Sequence, residues 1–180
     1  MVVIIVEGIT DKEFFEDFFS DLDLEKSSYE FKIFNGKDNI FKLWNSLYEE
    51  IEGEQDIIDA VLIAVDADDP KDSCPVRGYA DTDHKINELI SNLDLEIPVD
   101  YYIFSDKNKQ KGYLESFLLS VLDAKQQKCV NDFKECYKYE LTDKWVFNTF
   151  YKQKNHPFDY GHQNFNELKH KLKKLFKGIQ

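Results

Sequence analysis

Val2-Val3-Ile4-Ile5-Val6 runs directly into Glu7-Gly8-Ile9-Thr10-Asp11. Five β-branched residues in succession read as a buried strand, and the acid that follows ends it. Thr10-Asp11-Lys12-Glu13 has the form of a capping box. Phe14, Phe15, Phe18 and Phe19 follow at helical spacing, so a helix over 11–20 with a phenylalanine face is expected.

The same unit of strand, rim and helix recurs outward from this stretch. Tyr29–Phe34 alternates as a second strand and stops at the turn signal Asn35-Gly36. Asp38 is placed to cap one helix carrying Ile40, Phe41, Trp44, Leu47, Tyr48 and Ile51 on a face. Ala60–Val65 reads as a third strand and meets Asp66-Ala67-Asp68-Asp69-Pro70. A loop over 70–80, a helix over 82–93 and a fourth strand at Val99–Phe104 follow. Polar Ser105–Gly112 precedes a helix begun by Leu114, Phe117 and Leu118. Two or three further helices complete the chain, the last over 164–177 with Phe165, Leu168, Leu172, Leu175 and Phe176 on one face. This alternation predicts a single α/β domain: a four-stranded parallel sheet, core 1–122, with a helical extension over 123–180.

In such sheets functional groups gather beyond the carboxyl ends of the strands, where strand order reverses. With an order of 2-1-3-4, Glu7 and Asp66 lie side by side at one rim, with Asp68 just outside. Three converging carboxylates repel one another unless protonated or bound to a cation. Their hard oxygens suit Mg²⁺ or Mn²⁺ and not zinc.

Val6-Glu7-Gly8-Ile9-Thr10-Asp11 after one buried strand and Val65-Asp66-Ala67-Asp68-Asp69 after a later one resemble a toprim domain. That domain occurs in topoisomerases, bacterial primases, overcoming-lysogenization-defect nucleases and small RNA-maturing nucleases. Ser105–Lys111 followed by Gly112-Tyr113-Leu114-Glu115 is also similar to a segment of small stand-alone toprim-like bacterial proteins. The resemblance covers roughly residues 1–122 and implies a Rossmann-like fold. It implies Glu7, Asp66 and Asp68 as ligands of Mg²⁺ or Mn²⁺, with Asp69 or Glu115 completing a second site. Lys12 would face a substrate phosphate, or serve only as a solvated lysine. The activity implied is metal-dependent phosphodiester chemistry on DNA or RNA, hydrolysis above all, since nothing here resembles a zinc-binding region or a strand-passage apparatus. A non-catalytic module that binds metal, nucleotide or a protein partner is the alternative.

Other carboxylate motifs fit less well. A haloacid-dehalogenase phosphatase places its DxD after the first strand, and here it follows the third. An EF-hand loop fails at Pro70, its fifth position. Walker loops are absent.

The net charge is −12 over 180 residues. Residues 151–180 carry seven lysines and two acids, a net +5, which leaves −17 for residues 1–150. So acidic a body repels a phosphate backbone. Lys169, Lys173, Lys174 and Lys177 on the last helix are the basic surface on which nucleic acid could rest, or a solvated face. No apolar run approaches the ~20 residues of a membrane span, and the Met1–Val6 run has no basic flank. Cys74, Cys129 and Cys136 form no metal motif; a reducing cytoplasm is expected, with Cys129 and Cys136 packed in the core. His84, His156, His162 and His170 form no ligand set, and Asn108 and Lys109 either line the pocket mouth or are plain loop polarity.

Overall fold

The structure is a computed structural model and describes residues 1–73, 75–106, 110–150 and 158–176. Four strands, β1 (Val2–Val6), β2 (Tyr29–Ile33), β3 (Ala60–Asp66) and β4 (Val99–Phe104), form one sheet in the order β2-β1-β3-β4. Every pairing is parallel, with Val6 opposite Ile33 and Ala64, and Asp66 opposite Phe104.

Alternation along the strands splits the core in two. Val3, Ile5, Val61, Ile63, Val65 and Ile103 face a layer built from Ile40, Trp44, Leu47, Ile51 and Ile86. These belong to α2 (Lys37–Lys42), α3 (Trp44–Gly53) and α4 (Tyr79–Ser91). Val2, Ile4, Val6, Leu62, Tyr102 and Phe104 face the other layer. That layer holds α1 (Ile9–Asp21), α5 (Leu114–Ser120) and α8 (Asn166–Leu175), joined by Val130 of α6 (Ala124–Cys136) and Val146 and Phe147 of α7 (Asp143–Phe150). Its centre is aromatic: Phe14, Phe15, Phe18 and Phe19 are all buried, and Phe117 meets Phe165 edge-on at 5.1 Å. The extension is thus built into the main core of the sheet.

Three local expectations are corrected. α1 starts at Ile9 with Gly8 as its cap, so Thr10 and Glu13 form no capping box; Asp11 reaches back to the Gly8 N–H at 2.7 Å. The helix expected after Asp38 is two helices broken at Leu43, and Gly36, not Asp38, precedes the first. The start of α2 is fixed to the sheet rim through Lys37, whereas α3 follows the apolar face. Cys129 and Cys136 are exposed, because α6 buries only Val130. No helix among the described residues is long and apolar enough to cross a membrane.

Candidate functional site

Glu7 follows β1 and Asp66 ends β3, so neighbouring parallel strands deliver them to the same carboxyl rim. The Glu7 carboxylate accepts two main-chain N–H groups, from Asp66 to Oε1 at 2.7 Å and from Lys37 to Oε2 at 2.9 Å. Asp66 Oδ1 accepts the Leu114 N–H at the start of α5, 2.8 Å away. These bonds tie β1, β3, α2 and α5 together at one point.

Asp11, one helical turn beyond Glu7, and Glu115, in the first turn of α5, complete the group. Both are buried, 8% and 3% exposed. No hydrogen bond among the described residues reaches the Glu115 side chain. Burial pushes Glu7 up to about 7, and Asp68 and Asp11 add repulsion. Asp11 rises to about 6 through burial and then through Glu115, with the Gly8 N–H and the Lys144 ammonium pulling the other way. Asp66 stands well above the usual carboxylate range, through burial first and then Glu7, Asp11 and Glu115. Four acids thus share one electrostatic environment, and none has an ion-pair partner among the described residues.

Asp68 is placed differently. It adopts a left-handed φ of 62° and pairs its main chain with Gly112 in an isolated antiparallel bridge, at 2.9 and 3.0 Å. A side chain at Gly112 would meet Ser116 Oγ at 2.7 Å, and its φ of +104° also demands glycine. Asp68 Oδ2 contacts the Lys37 ammonium at 2.6 Å. The Lys37 side chain is 2% exposed and also donates to Asp66 O at 2.9 Å and Thr82 Oγ1 at 3.1 Å. An open cleft of about 560 Å³ lies outside Glu7, Lys37 and Asp68, bounded by Asn35, Lys42 and Asp72.

The remaining expected residues lie apart. Asp69 accepts from Lys111 at 2.6 Å, and that bond, with the Lys71 N–H, holds it below its ordinary value. Lys12 turns along α1 to Glu16, 3.7 Å away, and the Phe31 ring. His162 Nδ1 accepts the Asn164 N–H, and His84 and His170 are exposed. Cys74, Asn108, Lys109, His156 and Lys177 lie outside the described residues. The basic α8 runs away from the acids: Lys171 bonds Asp100 at the start of β4, and Phe176 packs on Tyr29 at the start of β2. Its terminal lysines therefore sit near the amino rim. Sequence reasoning missed Lys37 and Asp11. Lys37 was signalled by Asn35-Gly36, which marks the carboxyl end of β2, and Asp11 by its four-residue spacing from Glu7.

Among the described residues no three His, Cys, Asp or Glu side chains stand in metal-ligating geometry. The donor set nevertheless fits a hard divalent cation in kind. It is all carboxylate, and its acids, raised first by burial, are raised further by one another. Its third expected ligand, Asp68, is held by Lys37.

Fold and site together define an α/β protein with an acid cluster at the switch point of a parallel sheet. The chain belongs to the family described as "Protein of unknown function (DUF3226)", whose model matches residues 1–177. Neither a curated protein nor a solved structure matches it.

Proposed function

We propose that this protein carries out divalent-cation-dependent phosphodiester chemistry on nucleic acid, hydrolysis in the first place, as a toprim-like enzyme. The observation that carries the reading is the gathering of Glu7, Asp11, Asp66 and Glu115, with Asp68 beside them, at the carboxyl rim. Glu7, Asp66 and Asp68 would hold Mg²⁺ or Mn²⁺, with Asp11 and Glu115 behind them. Bound there, such cations would polarise a phosphodiester and activate the attacking water. The two N–H groups on Glu7 and the one on Asp66 fix those carboxylates, so little further ordering is needed when substrate arrives. Asp69 and Lys12, as they stand, contribute to neither role.

The nucleic acid needs a grip that an acidic body does not give. Lys144 at the start of α7 acts on Asp11, which puts α7 on the side of the acids. Next to it Trp145, Tyr137 and Tyr139 are exposed aromatics, with Lys138 over the Tyr139 ring. Such rings stack unpaired bases without regard to sequence. This surface suits a single strand bound for the cluster better than α8 does.

The test is incubation with labelled single- and double-stranded DNA and RNA in Mg²⁺ or Mn²⁺, beside Asp66→Asn. Metal-dependent cleavage that disappears in Asp66→Asn is expected. A second reading, a non-catalytic module for a metal, nucleotide or protein partner, is favoured by the Lys37–Asp68 ion pair, which already neutralises part of the cluster. Metal binding without cleavage of any of the four substrates supports that reading instead.

A further inference from the structure

We propose that Lys37 is the built-in counter-ion of the acid cluster, and that a divalent cation binds by taking Asp68 from it. The proposal rests on the metal reading above and concerns how that site loads.

The Lys37 ammonium has three hydrogens and three acceptors at close range, Asp66 O at 2.9 Å, Thr82 Oγ1 at 3.1 Å and Asp68 Oδ2 at 2.6 Å, with Ala67 O farther off at 3.5 Å. With the side chain 2% exposed, water cannot replace a missing partner cheaply. Two of the three acceptors belong to rigid elements, the end of β3 and the first turn of α4. Only the third, Asp68, is a rotatable carboxylate, and it is the one lining the open cleft. Lys37 can therefore surrender Asp68 while keeping its other two bonds.

The Asp68 main chain stays in place during that exchange. Its bridge to Gly112 holds the left-handed backbone from the other side. The change required is a rotation of one carboxylate from an internal cation to an external one. While the ion pair stands, Asp68 is withheld from the cation that Glu7 and Asp66 would share. Lys37 is thus a positioning residue that sets metal affinity.

The experiment is a Mn²⁺ titration by calorimetry on the full chain: wild type, Lys37→Met, Asp68→Asn and the double variant. Removing the competitor tightens Mn²⁺ binding by about tenfold, the equivalent of about 1.4 kcal/mol. In the Asp68→Asn background the same change gains less than about twofold, because the competed carboxylate is gone. A gain undiminished in that background means that the lysine acts only through its field, and overturns the proposal. So does an unchanged affinity in Lys37→Met. In both cases wild-type binding leaves the metal reading standing. No Mn²⁺ binding by any of the four proteins removes proposal and reading together.

If Lys37→Met does not fold, wild-type crystals grown with Mn²⁺ decide. Asp68 turned onto the ion, with Lys37 Nζ beyond the roughly 4 Å of an ion pair, is the expected result. A bound ion beside an intact Lys37–Asp68 pair overturns the proposal.

Discussion

The two rims of the sheet handle charge in opposite ways. At the amino rim two acids each have a cation of their own. The N-terminal ammonium pairs with Asp59, and Lys171 with Asp100 at 2.7 Å. At the carboxyl rim Glu7, Asp11, Asp66, Asp68 and Glu115 gather, and the buried Lys37 ammonium pairs with Asp68. Both rims are built from the same strands, so the sheet itself does not require the imbalance. Burying unmatched carboxylates costs stability, and a fold carries such a cost where the site has work to do. That contrast is the reason the proposed site is assigned to the carboxyl rim.

The largest effect should come from the buried cation at the crowded rim. Lys37→Ala leaves Asp68 and Thr82 without their buried partner and should destabilise the metal-free protein by about 3–5 kcal/mol in urea unfolding. Lys171→Ala removes a partly exposed pair and should cost less than about 1 kcal/mol. Equal losses would erase the contrast between the rims.

Next in size is the response to pH. Glu7 binds its proton more tightly folded, at about 7, than unfolded, at 4.5, and Asp11 likewise, at about 6 against 3.8. Between those values the unfolded chain releases the proton first, so stability falls as pH rises. The Glu7 contribution is fully present below about pH 4.5 and lost by about pH 7, a change on the order of 3 kcal/mol. Saturating Mg²⁺ should flatten this fall, adding about 2.7 kcal/mol at a hundredfold excess over Kd. Thermal melts from pH 4.5 to 8, with and without Mg²⁺, check both. A stability that rises across that range would mean that neither burial nor mutual repulsion raises these acids.

Asp66→Asn should raise metal-free stability by about 1–2 kcal/mol, since it removes an acid whose charged form burial and its neighbours disfavour and keeps an acceptor for the Leu114 N–H. It should also abolish the Mg²⁺ response. Asp68→Asn should do the reverse to metal-free stability, because it strands the Lys37 ammonium. Stabilisation by both variants would show that Lys37 does not depend on Asp68.

How much of this was legible in the sequence divides along the same line. Strands were legible because β-branched runs such as Val2–Val6 and Ala60–Val65 have few other uses, and their order placed Glu7 beside Asp66. The phenylalanine face of α1 was legible from spacing alone. What escaped depends on contacts distant in sequence. Lys37 reads as an ordinary lysine after a turn until Asp66, Asp68 and Thr82, some 30 to 45 residues on, are folded around it. Asp11 looked like the interior of a capping box because nothing in Thr10–Glu13 reveals that Gly8 starts the helix. Cys129 and Cys136 were misassigned because a seven-residue spacing fixes a shared face without saying which way it points. α8 showed its lysines plainly, but only the Lys171–Asp100 and Phe176–Tyr29 contacts reveal which rim they reach.

The smallest effect tests that last point. From Asp100 to the end of β4 the sheet spans about 13 Å at roughly 3.3 Å per residue, so a strand gripped at the tip of α8 starts well away from the acids. Lys144, whose charge reaches Asp11, starts close to them. Removing one lysine–phosphate ion pair should flatten the log–log salt dependence of binding by roughly 0.7–0.9. Lys144→Gln should therefore weaken single-strand binding and flatten the slope by one such step. Changing Lys173 and Lys174 together to Gln should leave both the slope and the Mg²⁺ shift in melting temperature unchanged. Fluorescence anisotropy of a labelled oligonucleotide between roughly 50 and 300 mM salt resolves steps of this size. If the α8 pair flattens the slope and Lys144 does not, the nucleic acid approaches along the amino rim. The division of labour between the rims would then have to be redrawn, with the sheet carrying its substrate at one end and its acids at the other.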